Sequence, residues 1–304
     1  MSKKIPLSLT ALVFVCQLFA QKITPTIKNE AYVPSYDLPR LLISMGGKEI
    51  VNPSEWERLR RPEILSYFAN QVYGVVPGQL DFYDVEVLDD EPNAMTGKAI
   101  RKQVNLIFKR GTKSIKMPLL IYLPNKKKKS SVFLAYNFSG NHSVNADPAI
   151  LINGKKESEL RGNELKNFNQ AERGGRTTRW AIEKMIDAGY GFVTIDYNNV
   201  DPDKNDFSDG IHALFYKTGQ TAPAKNEWGS LSAWAWGMSR VMDYLETEVL
   251  IDHKKVILFG HSRLGKTALW AGASDQRFSI VISNNSGCGG AALSRRRFGE
   301  KISD

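Results

Sequence analysis

Residues 255–270 read Lys255-Val-Ile-Leu-Phe-Gly260-His261-Ser262-Arg263-Leu264-Gly265-Lys266-Thr-Ala-Leu-Trp270. The apolar run Val256 to Phe259 predicts a buried strand, and a helix is expected from about Leu264, directly after the Gly-His-Ser turn. A serine on such a strand-to-helix turn is held out from the end of the sheet with its hydroxyl exposed. Backbone N–H groups at the helix start then point toward any oxyanion formed beside it. Ser262 is therefore a candidate nucleophile; the plain alternative for a serine in this position is a helix N-cap. The stretch departs from the usual G-x-S-x-G pattern, because Leu264 occupies the last glycine position and Gly265 follows it.

Working outward, the chain alternates between strand and helix patterns. A helix is predicted near Thr178 to Ala188, a strand over Gly191 to Ile195, an Asp-rich loop, a helix over Ser230 to Leu245, the strand before Ser262, and a strand over Phe278 to Ile282. Strands separated by helices predict a mainly parallel sheet covered on both faces, an α/β three-layer sandwich. Upstream, Val104 to Phe108 and Met117 to Leu123 flank Arg110-Gly111-Thr112 and read as a hairpin, and Ser131 to Phe138 reads as a buried strand. Trp56, Leu59, Ile64, Leu65, Phe68 and Val72 recur at helical spacing from Pro53 to Tyr73-Gly74. The polar stretch 145–176 reads as a long surface loop.

The first twenty-odd residues differ in kind. Lys3 and Lys4 precede the uncharged apolar run Ile5 to Ala20, which has the make-up of a secretory signal peptide. The run is short for a membrane span, so the expectation is a signal over 1–20, an arm over 21–50, a catalytic domain over 51–304, and a secreted or periplasmic protein. The formal charge of +9 over 304 residues falls by two when Lys3 and Lys4 leave. The remaining basic clusters, Lys126 to Lys129 and Arg295 to Arg297, lack the interleaved aromatics of a nucleic-acid surface. Cys288 is left as an odd cysteine, either a buried free thiol or one half of a pair completed beyond Asp304.

Gly260-His-Ser-Arg-Leu-Gly-Lys266 resembles the Gly-x-Ser-Arg-x-Gly-Lys signature of the glucuronoyl esterases, carbohydrate esterase family 15. Trp56 to Arg61 with Pro62-Glu63, Leu134 to His142, Arg179-Trp180, Asp201-Pro-Asp203, Trp228-Gly with Ala233 to Gly237, and Ser283 to Gly290 with Ser294-Arg-Arg look like the bacterial branch. The resemblance implies an α/β-hydrolase fold and cleavage of the ester between glucuronic acid side chains of xylan and lignin alcohols, with no cofactor or metal. It implies that Arg263 helps hold the oxyanion and that Lys266 contacts sugar hydroxyls. The partner it implies is a glucuronoxylan or lignin–carbohydrate ester.

A serine esterase also needs a base, and α/β-hydrolases present the triad in the order Ser, acid, His. All four histidines, His142, His212, His253 and His261, precede Ser262. The position that holds the family's glutamate in some members matches Asn285, and Glu300 is the nearest local carboxylate. This reading expects the histidine and acid beyond Asp304, the sheet incomplete at its C-terminal end, and these 304 residues inactive alone. An acetyl-xylan or other carbohydrate esterase, and a catalytically silent carbohydrate-binding homologue, remain open alternatives. Asp201, Asp203, Asn205, Asp206 and Asp209 suggest calcium less than a solvated loop, because Asp206 stands where a calcium loop needs glycine. Trp234 reads as core, and Ser139-Gly140-Asn141 as either an oxyanion wall or a plain turn.

Overall fold

The computed structural model describes residues 27–77, 82–126, 128–168 and 172–298. The strands are β1 (Phe82–Ala94), β2 (Ala99–Arg110), β3 (Lys113–Pro124), β4 (Ser130–Asn137), β5 (Gly191–Asp196), β6 (Ile251–His261) and β7 (Ile280–Asn284). They form one sheet in the order β1-β2-β3-β5-β4-β6-β7. From β5 through β4 and β6 to β7 all neighbours are parallel, whereas β1 to β3 form an antiparallel meander that joins β5 antiparallel. The chemistry-bearing half thus has the parallel arrangement expected from alternating strands and helices. The other half is antiparallel because its connections are tight turns, which cannot carry a parallel crossover. Arg110 pairs with Lys113 across the predicted hairpin turn, where Gly111 takes φ +56°.

The helices are α1 (Pro53–Glu55), α2 (Arg61–Phe68), α3 (Gly162–Asn167), α4 (Ile182–Asp187), α5 (His212–Phe215), α6 (Ser230–Thr247) and α7 (Arg263–Ser274). On one face Trp234, Met238 and Val241 of α6 and Leu264 and Ala268 of α7 bury against Ile121, Leu134, Ile195 and Leu258. Trp234 is core, as its helical spacing indicates, and its Nε1 donates to Asp201 O at 2.8 Å. On the other face Ile182 and Ile186 of α4 pack with Leu120, Tyr122 and Phe192. Three layers result. Ile280 and Ile282 of β7 are exposed.

The predicted helix from Pro53 runs to Tyr73, with wider π turns at Trp56–Arg60 and Ala69–Tyr73 on either side of α2. Asn52 caps its start by accepting from Glu55 N at 3.0 Å, and Gly74 ends it with φ +83°. A side chain at Gly74 would strike Glu227 O at 2.2 Å. Tyr73 stacks on Trp270 of α7 at 4.7 Å and donates to Gly289 O at 2.6 Å, so this helix braces the element that follows Ser262.

Other expectations shift. The helix predicted over Thr178 to Ala188 is confined to α4, with turns before it. The long loop carries α3, and the strand near Phe278 starts at Ile280, with Phe278 itself buried in the preceding turn. Cys288 is a free thiol, partly exposed rather than buried. The arm is mostly irregular from Ile27 to Asn52, tied down by an Ile27–Phe298 bridge and a Glu30–Arg296 ion pair. The signal expected over 1–20 and Glu300 lie outside the described residues. Among the described residues no helix is long and apolar enough to cross a membrane.

Candidate active site

Ser262 sits between β6 and α7 with φ +56° and ψ −128°, a conformation an L side chain adopts only under strain. An N-cap residue takes extended dihedrals and its side chain accepts a helix N–H. Ser262 has neither property, since its hydroxyl makes no capping bond. Its backbone fixes it instead: Ser262 N donates to Asn284 O at 2.9 Å, and Ser262 O accepts from Gly265 N at 2.8 Å. The N–H groups of Arg263 and Leu264 have no backbone partner among the described residues, so they supply donors at the positive end of α7.

The glycines explain how the turn tolerates Leu264. A Cβ on Gly260 would lie 2.0 Å from Leu264 O, so the helix backbone crosses directly over the strand there. At Gly265 a Cβ would meet Ser286 Cβ at 3.0 Å and Asn284 O at 3.1 Å. Close approach is needed at 260 and 265, and Leu264, between them, turns into the core at 2% exposure.

Arg263 is half-exposed, and its Nη1 pairs with Asp203 Oδ2. The same Asp203 oxygen accepts from Tyr197 OH at 2.8 Å, while Asp203 N donates to Asn198 Oδ1 at 3.1 Å. Burial, then the Asp203 carboxylate, pushes the Tyr197 phenol up to about 12. The sequence singled out Asp203 in an acidic loop and in the Asp201-Pro-Asp203 stretch, but not as a partner of Arg263. Asp201 of that loop is buried, hydrogen-bonded to His212 Nδ1 at 2.7 Å, and Lys204 bridges Asp206 and Asp209. Among the described residues no three His, Cys, Asp or Glu side chains are grouped to hold a metal. Lys266 lies in the first turn of α7 with its N–H 3.3 Å from Ser262 O, and its side chain is buried rather than solvated.

No histidine hydrogen-bonds the Ser262 hydroxyl among the described residues. His261 turns away: its Nδ1 is 3.1 Å from Asn284 Nδ2 and its ring meets Phe138 edge-on. His212 is held by Asp201 and Trp228 O. Asn285 follows β7 with φ +49° and is exposed. Of the Ser139-Gly140-Asn141 turn, Asn141 is buried structurally, donating to Pro118 O and accepting from Asn137. Ser139 instead lines a cavity of about 570 Å³ beside the elbow, with Phe138, Arg176, Arg179, Trp180 and His261.

A parallel half-sheet ending in a strained strand–serine–helix turn, with helices on both faces, is the α/β-hydrolase architecture. The family model described as "Glucuronyl esterase, fungi" matches residues 174–302. A glucuronoyl esterase from Solibacter usitatus is 42% identical and superposes with a TM-score of 0.80 over 88% of this chain and 68% of its own. A structure described as a promiscuous CE15 esterase from the marine bacterial metagenome is 45% identical, with a TM-score of 0.77 over 91% of this chain and 70% of that one. The chain belongs to the glucuronoyl esterase family, carbohydrate esterase family 15. Carbohydrate esterase MZ0003, from an unknown prokaryotic organism, is 47% identical over 281 residues, which are 90% of this chain. The match spans 64% of that relative's length.

Proposed function

We propose that this chain carries the nucleophile, Ser262, of an exported serine hydrolase that cleaves esters of (4-O-methyl)glucuronic acid in glucuronoxylan–lignin linkages. The observation that carries the reading is the strained, uncapped Ser262 beside an arginine held by Asp203. In this account Ser262 Oγ attacks the ester carbonyl and gives its proton to a general base. The carbonyl oxygen becomes an oxyanion facing the Arg263 and Leu264 N–H groups and the Arg263 guanidinium. The alcohol leaves with a proton, and water then releases the uronic acid from Ser262. A fixed cation aimed at developing negative charge is worth several kcal/mol, about what removal of one oxyanion donor costs. Lys266 contributes to holding sugar hydroxyls next to Ser262.

A second reading, a carbohydrate-binding protein without turnover, is favoured by one observation: no described histidine reaches Ser262. Hydrolysis of benzyl glucuronate by the protein expressed from its whole gene, compared between the wild type and Ser262→Ala, separates the two. The first reading gives a rate that vanishes in the variant; the second gives sugar binding with no rate in either.

A further inference from the structure

Between β5 and α6 the acidic loop runs into α5, and one ionisable pair in it is buried: Asp201 is 1% exposed and His212 0%. His212 Nδ1 lies 2.7 Å from Asp201 Oδ1, and Nε2 lies 3.2 Å from Trp228 O. A carboxylate and a carbonyl both accept, so both ring nitrogens are committed to fixed acceptors. The ring sits against Phe207 and Trp228, each with its centroid 5.0 Å away. Asp201 Oδ2 has no partner among the described residues, so the carboxylate relies on His212 there. The loop closes tightly around the pair, since a Cβ on Gly210, at φ +63°, would meet Asp201 Oδ1 at 2.9 Å.

Asp201 is joined through Pro202 to Asp203, the carboxylate that pairs with Arg263 beside Ser262. Proline fixes its own φ and restricts the residue before it, so a shift at Asp201 passes to Asp203 with little slack. Both ends of the Arg263–Asp203 pair are referred to α6. On the loop side Trp234 Nε1 donates to Asp201 O at 2.8 Å, and His212 bonds Trp228 O just before α6 starts at Ser230. On the other side Trp270 Nε1 of α7 donates to Ser232 Oγ at 3.1 Å. A buried carboxylate that loses its partner is strongly disfavoured, and its relief is to reach water. Removing the His212 donor therefore draws Asp201, and Asp203 with it, away from the frame that holds α7.

Resting on the reading of Ser262 and Arg263 as an esterase site, we infer that Asp201 and His212 are positioning residues that, through Asp203, aim the Arg263 guanidinium at the oxyanion. The test uses the protein expressed from its whole gene and two variants verified as folded by circular dichroism. His212→Asn keeps an amide donor where Nδ1 stands and gives up the Trp228 bond, whereas His212→Gln keeps the donor where Nε2 stands and gives up the bond to Asp201. On benzyl glucuronate, kcat is expected to fall about tenfold in His212→Gln with KM nearly unchanged, and to recover to within about threefold of the wild type in His212→Asn. In an Arg263→Ala background His212→Gln lowers kcat no further, because the two residues act through one interaction. Equal losses in the two variants, or the same loss with and without Arg263, mean that His212 only stabilises the fold, and the inference is wrong. A readout independent of turnover is the NMR signal of the Arg263 guanidinium in arginine-labelled protein, assigned by its disappearance in Arg263→Ala. Restricted guanidinium rotation is expected in the wild type and His212→Asn, and free rotation in His212→Gln. Free rotation already in the wild type, or identical Arg263 signals in all three, overturns the inference whatever the activity. Because that measurement needs no substrate, failure of the esterase reading, seen as full activity in a folded Ser262→Ala, is distinguishable from failure of this one.

Discussion

Arg263 and Asp203, 60 residues apart in sequence, form an ion pair at the mouth of the β6–α7 turn, and Tyr197 holds the same carboxylate oxygen. The guanidinium next to Ser262 is thereby aimed by the loop after β5 rather than left free to rotate. Asp203→Asn is expected to lower kcat on a soluble glucuronate ester about tenfold, with KM nearly unchanged, because a misplaced cation chiefly weakens transition-state stabilisation. The pair is substantially exposed, so the change in unfolding free energy is expected to stay within about 1 kcal/mol. A change in KM alone would show that Arg263 only docks substrate.

Gly260→Ala is expected to destabilise strongly, because its Cβ would overlap Leu264 O at 2.0 Å and push α7 off β6. Overpacking of this kind costs typically about 1–3 kcal/mol. Gly265→Ala meets its nearest neighbour at 3.0 Å and is expected to cost less. Urea unfolding of the two variants checks the order; equal midpoints would contradict the close crossing.

The strain at Ser262 has its own signature. Alanine keeps a Cβ at φ +56°, whereas glycine adopts that conformation freely. Ser262→Gly is therefore expected to be more stable than Ser262→Ala by about 1 kcal/mol, at the low end of what such backbone outliers store. A less stable glycine variant would argue against a strained turn.

The buried His142 gives a pH dependence of defined sign. Its folded pKa lies below the ordinary 6.5, so the folded state favours the neutral ring. The associated stability is complete above the unfolded pKa and is lost as pH falls through the lower folded value. Urea midpoints measured from neutral to mildly acidic pH are expected to fall more steeply for the wild type than for His142→Phe. Parallel curves would mean that the ring titrates alike folded and unfolded.

The elbow was legible in the sequence because strand, turn and helix are contiguous over 255–270 and each carries its own local pattern. The helix from Pro53 and the hairpin around Gly111 were legible for the same reason. β1 was not: Asp84, Glu86, Asp89, Asp90 and Glu91 give it an acidic edge that local propensity reads as loop. The Asp203–Arg263 pair was hidden because no local pattern links residues so far apart. His142 carried no local signal in the sequence that its ring would be buried.

The account stands or falls on Ser262 as the nucleophile. Its most direct test is hydrolysis of benzyl glucuronate by the protein expressed from its whole gene, with and without Ser262→Ala, the folded state verified by circular dichroism. The account predicts that the variant folds and loses on the order of 10⁶ in turnover. A folded Ser262→Ala protein that still hydrolyses the ester at a rate comparable to the wild type would contradict it.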